Sequence, residues 1–443
     1  MKLLVVSPEF ASHYTPLASI GSAAQCRGAD VVVATGPAMA SRVAAAGFAW
    51  RQLRMSAGSN PGILTRAGNG ADATDMAGFF TATRGGMVST LRYQADMRSR
   101  DLLWRPATVA TAMLQIVAEE EPDAIVADHL AFACTLGLRV AGRRFTTFVP
   151  GHPSQLPVGD EIYGYPVAWP SCLEPADSEL DRLWRRCEAV RDDVTASYNH
   201  ALADLAPGAV AVDDAFAAHG DDVLYNAPSS LRDESRDALL PVNHRFLGCS
   251  QGSESLDPQS AEWVGALNDE PFVYVSLGTF LSARSDVLRR IIDALVELGI
   301  HAAIATGPSE AAALGAVPPD WLVAPLLPQV ALLEHAAAAI THGGNNTVTE
   351  ALRAGCPMVV LPFSTDQFAT AADLERAGLA TAHDPNRARR AELAPAIADA
   401  VASRGRREIV ALADTLRRAP GPDIAADRLL DRCGRRSSFV SGD

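Results

Sequence analysis

Short apolar runs alternate with amphipathic stretches along most of the chain. Leu3 to Val6 is an apolar run of strand length. A loop with Pro8 and His13 follows, then a helical stretch from Pro16 to Arg27 closed by Gly28, then a second run from Val31 to Ala34. The order repeats with a helical pattern from Ala38 to Ala46 ended by Gly47, and another from Val109 to Ala118 leading into Ala124 to Ala127. Strand, loop, helix and strand in this succession predict parallel strands joined by right-handed crossovers, with functional residues at the carboxyl ends of the strands.

Two stretches break the rhythm. Residues 55–105 mix Gly, Ser, Asn and Asp with scattered aromatics (Phe79, Phe80, Tyr93, Trp104), and residues 150–175 are dense in Pro, Gly and aromatics. Long excursions from a compact domain are commonly binding loops, so both are assigned to substrate recognition. Alternation then resumes. Phe272 to Leu277 reads as a strand, and Leu288, Ile291, Ile292, Leu295 and Leu298 recur at helical spacing up to Gly299. Further strands are expected at 302–305, 321–324, 337–341 and 358–361. With a linker at Gln251 to Pro258, the expected architecture is α/β: two doubly wound Rossmann-like domains facing a central cleft. Their expected spans are 1–250 and 251–425, followed by a tail over 426–443.

Composition narrows the chemistry. The 52 acidic against 38 basic residues give a net charge of -14, which argues against nucleic acid as a partner. Lys2 is the single lysine, so neither a lysine Schiff base nor a P-loop lysine is available within the fold. The seven cysteines include no Cys-x-x-Cys pair, which suggests a reducing compartment rather than a disulfide framework or a zinc knuckle. The apolar run before Pro8 is too short for a signal peptide, and no run reaches membrane-spanning length. A cytoplasmic protein without membrane partners is expected; its oligomeric state stays open.

The strongest local motif is Ile340-Thr-His-Gly-Gly-Asn-Asn-Thr-Val-Thr-Glu350. An apolar strand ends at His342, and a glycine turn opens a helix near Asn345. The unpaired N–H groups and positive dipole end of such a helix form a phosphate seat. His342 is placed to donate to a phosphate oxygen, and Glu350, two turns along, to accept from sugar hydroxyls. Asp366 and Gln367 follow the strand at 358–361 and suit adjacent sugar hydroxyls. Ser276 and Thr279 close the strand at 272–277 with two hydroxyls for a second phosphate contact.

In this motif Glu350 lies eight residues after His342 and Asp366 twenty-four, a spacing that resembles the signature box of family 1 glycosyltransferases of GT-B fold, among them the actinomycete antibiotic and macrolide enzymes. Pro328-Gln329 is similar to the start of that box. The resemblance implies that His342 contacts a diphosphate, that Gly344, Asn346 and Thr347 bind phosphate, that Glu350 binds ribose, and that Asp366 and Gln367 bind the hexose, with Gln329 also on the donor side. The interval from Gln329 to His342 is shorter than in the plant box, so Trp321 is read as a strand-edge core aromatic rather than a platform for the base.

The first loop, Ser12-His-Tyr-Thr-Pro-Leu, resembles less specifically the family's Gly-His-x-x-Pro-Leu loop. That implies His13 as general base and Asp128 as the carboxylate orienting it. His129 is read as a surface or acceptor-side residue, and Glu9 and Phe10 as acceptor contacts. The implied activity is inverting, metal-independent transfer of a hexose from a nucleotide diphosphate sugar to a hydroxyl of a small-molecule natural product. The nucleotide sugar is a co-substrate and no separate cofactor is called for. A carboxylate at Glu350 suits both ribose hydroxyls, and Thr365-Asp-Gln-Phe is similar to macrolide glucosyltransferases, which favours UDP over dTDP. A sugar-nucleotide epimerase or an inactive auxiliary homologue remain as alternatives. A nicotinamide dehydrogenase lacks support, because the first loop carries no Gly-x-Gly-x-x-Gly.

Overall fold

The computed structural model describes residues 1–56, 58, 71–251, 256–267 and 271–437. Parts of the expected insertion (57 and 59–70), of the linker (252–255) and of the tail (438–443) therefore lie outside the described residues.

Among the described residues, thirteen strands form two all-parallel sheets. The first contains β1 (Lys2–Val6), β2 (Asp30–Thr35), β3 (Ala49–Gln52), β4 (Ala124–Asp128), β5 (Thr146–Val149), β6 (Asp222–Tyr225) and β7 (His244–Phe246), in the spatial order β3-β2-β1-β4-β5-β6-β7. The second contains β8 (Phe272–Ser276), β9 (His301–Ala305), β10 (Leu322–Ala324), β11 (Ala338–Thr341), β12 (Met358–Val360) and β13 (Ala380–Ala382), in the order β10-β9-β8-β11-β12-β13. Buried on both faces, the central strands read as continuous apolar runs rather than alternating ones. The order reverses between β1 and β4 in one sheet and between β8 and β11 in the other. Each reversal opens a crevice at the carboxyl ends of its strands.

The second half follows the periodicity closely, down to the Ser285–Leu298 helix capped by Gly299 in the left-handed region. The first half holds more than the pattern indicates: β5, β6 and β7 are only three or four residues long, and a 29-residue helix spans Asp177–Leu205. The first helix also begins earlier than expected. It runs over Ala11–Cys26 and includes both His13 and Pro16. Proline has no N–H to give to the carbonyl four residues back, so Ser12 O lacks its intrahelical donor.

The segment read as a tail from residue 426 lies mostly within the Gly421–Ser437 helix. This helix returns to the first sheet, where Ala425, Ala426 and Leu429 join the core around β1 and β2. Arg428 donates twice to the buried Asp222 at 2.6 and 2.7 Å, and Arg27 binds Asp423 and Asp427. Among the described residues no helix is long and apolar enough to cross a membrane.

Candidate active site

His13 stands in the first turn of the helix that follows β1, and Asp128 ends β4; the two strands are paired in parallel, Val6 beside Ala127. The first sheet's reversal point thus brings together residues 115 apart in sequence, with His13 Nδ1 2.9 Å from Asp128 Oδ2. A carboxylate only accepts, so the ring donates through Nδ1 and leaves Nε2 as its basic nitrogen. Asp128 is fully buried, and Oδ1 accepts from the Leu130 N–H at 2.9 Å. Burial alone would raise its pKa, but His13 and His129 beside it hold the carboxyl well below the usual range. Burial alone would likewise lower the His13 pKa, yet Asp128, with Asp366 adding to its effect, raises it above the ordinary imidazole value.

His129, read from the sequence as a surface or acceptor-side residue, is buried. Its ring lies parallel to that of His13 with centroids 6.3 Å apart, and its Nδ1 is 3.5 Å from Asp128 Oδ1. Its Nε2 has no hydrogen-bond partner among the described residues. Phe10 caps the helix start with its ring 5.7 Å from that of His13. Glu9 is engaged with its own domain: its carboxylate accepts from the Ala38 N–H at 2.9 Å and fills the space beside Gly36, where any side chain would collide with it.

The second reversal point gathers Ser276, Thr279 and His342. The His342 ring is sandwiched between Gly278 and Gly344, and a Cβ at either glycine would strike it. Gly278 also has φ +78, a conformation that disfavours other residues. Burial pushes the His342 imidazole down to about 4, so it is neutral at physiological pH and offers an N–H rather than a charge. Its Nδ1 is buried without a partner among the described residues. Ser276 Oγ accepts from the Gly278 N–H, Thr279 opens the short Gly278–Leu281 helix, and Gly344 is the N-cap of the Asn345–Ala354 helix. One turn further in, Gln329 donates to Glu350 at 2.6 Å and to Thr347 Oγ1 at 3.2 Å, joining three of the expected donor residues.

Other side chains are committed elsewhere. Gln367 Oε1 accepts from the backbone N–H groups of Phe363 and Ser364, fastening its own turn. Asn346 donates across the cleft to Ser12 O at 2.8 Å, the carbonyl freed by Pro16. Asn345 donates to Pro150 O and Asn226 O, both at 2.6 Å. The seat helix is thereby tied to the first half, one residue from His13. Both excursions also meet the second half: Phe79 and Phe80 pack on Phe280 at 4.9 and 5.0 Å beside Thr279, and Trp169 lies 5.8 Å from Phe368. Trp321 packs partly buried against the second domain's core.

Residues 239–417 match the model of the family described as UDP-glucoronosyl and UDP-glucosyl transferase. The match takes in the second sheet and the seat helix, and stops short of the first six strands of the first sheet. A "PGL/p-HBAD biosynthesis glycosyltransferase" of Mycobacterium tuberculosis is 34% identical over 139 residues, 31% of each chain. The alignment thus spans about a third of that relative's length. Among solved structures, CalG4, "the Calicheamicin Glycosyltransferase", superposes with a TM-score of 0.65 at 20% identity, covering 100% of this chain and 99% of that one. "Spinosyn Rhamnosyltransferase SpnG complexed with thymidine diphosphate" gives 0.63 at 19%, with 97% and 100% covered. The fold is that of the GT-B glycosyltransferases, two Rossmann-like domains set face to face.

Proposed function

We propose that the protein is an inverting glycosyltransferase that moves a hexose from a nucleotide diphosphate sugar to a hydroxyl of a small-molecule natural product. One observation carries the reading: His13, paired with the buried Asp128, stands at one sheet's reversal point, joined through Ser12 and Asn346 to the helix N-terminus at the other.

The chemistry follows from that arrangement. An acceptor hydroxyl must lose its proton as it attacks the anomeric carbon, and His13 Nε2 is the nitrogen left to take it. Asp128 fixes the tautomer and stabilises the imidazolium that forms. Charge building on the departing diphosphate is met by the backbone N–H groups opening the Asn345–Ala354 helix and by the neutral His342. This charge is met without a metal ion. A single displacement by the acceptor inverts the anomeric carbon. Glu350, buried and held by Gln329, offers a carboxylate to the two hydroxyls of a ribose, which favours UDP over dTDP.

The test is turnover of UDP-glucose and dTDP-glucose with a panel of hydroxylated aromatic and macrocyclic acceptors, comparing the parent with His13→Ala. The variant should lose turnover by about 10²–10⁴ while still binding the nucleotide. Transfer at the parent rate by His13→Ala removes His13 from the role of base. Conversion of the donor to its epimer without any acceptor replaces the transferase reading with an epimerase.

A further inference from the structure

His152 lies in the loop after β5, on the acceptor side, yet its bonds reach the donor half. Its backbone N–H donates to Asp366 Oδ2 at 2.8 Å. Its ring Nε2 is 2.9 Å from Asp373 Oδ2, two turns beyond on the Gln367–Arg376 helix. His152 and Asp373 are both buried, at 7% exposure each. The tautomer follows from the third bond: Nδ1 accepts from the Ser154 N–H at 3.2 Å as the ring caps the Pro153–Gln155 turn, so Nε2 carries the proton and donates to Asp373. Asp373 is braced from its other side by Arg376 at 2.9 Å.

Asp366 is held at both oxygens. Thr365 Oγ1 donates to Oδ1 at 2.8 Å, and His152 N–H donates to Oδ2. Thr365 adopts φ +52, a conformation that costs a β-branched residue energy, and its N–H is caught by Gln94 Oε1 at 3.2 Å from the acceptor-side helix Met87–Asp101. The turn presenting Asp366 is thus set by groups of the other domain.

We propose that His152 is a positioning residue for donor-sugar recognition: by pinning its ring to Asp373 across the cleft, it aims its own N–H at Asp366 and fixes that carboxylate for the hexose. The inference rests on the glycosyltransferase reading and extends it. The hexose site is then complete only when the two domains are docked, and it is built partly from acceptor-domain backbone. Recognition of the nucleoside diphosphate, by Gln329, Glu350 and the seat helix, does not depend on the pin.

The variant that separates these roles is His152→Asn. Asparagine still caps the Ser154 N–H but is too short to reach Asp373. Asp373→Leu cuts the same bond from the other side. Calorimetric titrations of UDP, UDP-glucose, dTDP and dTDP-glucose into the full-length protein give, for each nucleotide, the ratio of Kd without the sugar to Kd with it. In both variants this ratio should fall by about five- to tenfold, the scale of one hydrogen bond of about 1 kcal/mol, with the affinity for bare nucleotide unchanged and the melting temperature of His152→Asn lowered by only a few degrees. Restoring the reach with His152→Gln should recover part of the ratio. A ratio that survives His152→Asn overturns the proposal alone, as does an equal loss of affinity for sugar-bearing and bare nucleotides. A parent protein that binds no nucleoside diphosphate overturns the transferase reading and this proposal together.

Discussion

Replacing Asp128 by asparagine keeps the size and shape of the side chain and removes its charge. The structure sets the expected effect. With His13 Nδ1 2.9 Å from Oδ2, the centres of an imidazolium and a carboxylate lie about 4 Å apart. At an effective dielectric near 20 their attraction is about 4 kcal/mol. Asparagine retains one hydrogen bond from Nδ1 when its oxygen faces the ring, so roughly 2–3 kcal/mol of transition-state stabilisation should be lost. At about 1.4 kcal/mol per decade this is a fall of roughly 30- to 150-fold in kcat, with the KM for the donor little changed because Asp128 contacts His13, His129 and the Leu130 N–H, all on the acceptor side. The pH profile carries a second signature. Asp128 raises the His13 pKa, so in the variant the base deprotonates more readily, and the limb on which rate climbs with pH should move to lower pH. The assay is the initial rate of nucleoside diphosphate release with saturating acceptor from pH 5 to 9. A variant within about threefold of the parent, or one whose limb stays in place, refutes the pairing as the source of the base's strength.

Further outcomes follow from the same geometry. Because the folded-state pKa of Asp128 is depressed, its contribution to stability is present above the unfolded value near 3.9 and is lost as pH falls towards the folded one. Chemical denaturation between pH 5 and 3 should therefore show a shallower loss for Asp128→Asn than for the parent. Gly278→Ala puts a Cβ 2.9 Å from the His342 ring at φ +78; nucleotide affinity measured by calorimetry should drop at least about tenfold, at about 1–2 kcal/mol of backbone strain. Arg284, 1% exposed, binds Asp286 through two nitrogens and also Asn386 and Thr83. Since Asp286 is half-exposed, Arg284→Ala should cost about 2–3 kcal/mol in denaturant titration.

The sequence by itself determined what depends on neighbouring residues. Apolar runs and helical spacing marked the strands and helices of the second half, and glycines such as Gly299 ended the helices. The stretch from Ile340 to Glu350 is the end of a strand, a turn and a helix within eleven residues, so the seat was legible whatever surrounded it. The short strands β5, β6 and β7 were not, because three or four residues between long excursions carry too little periodicity to stand out. The early start of the first helix was hidden by Pro16, which reads as a beginning although the helix passes through it.

Only the tertiary structure decided which side chains meet. His13 and Asp128 are joined because β1 and β4 are neighbours, an adjacency created by the crossover and absent from either local sequence. Glu9 and Gln367 accept from backbone N–H groups of their own domains, because those donors needed acceptors once the turns closed. His129 and His152 gave no local signal: their roles come from burial beside a carboxylate and from bonds across the cleft. Residue type and spacing are local properties of a chain, whereas burial and long-range pairing arise only when strands become neighbours within a sheet and the two domains pack against each other.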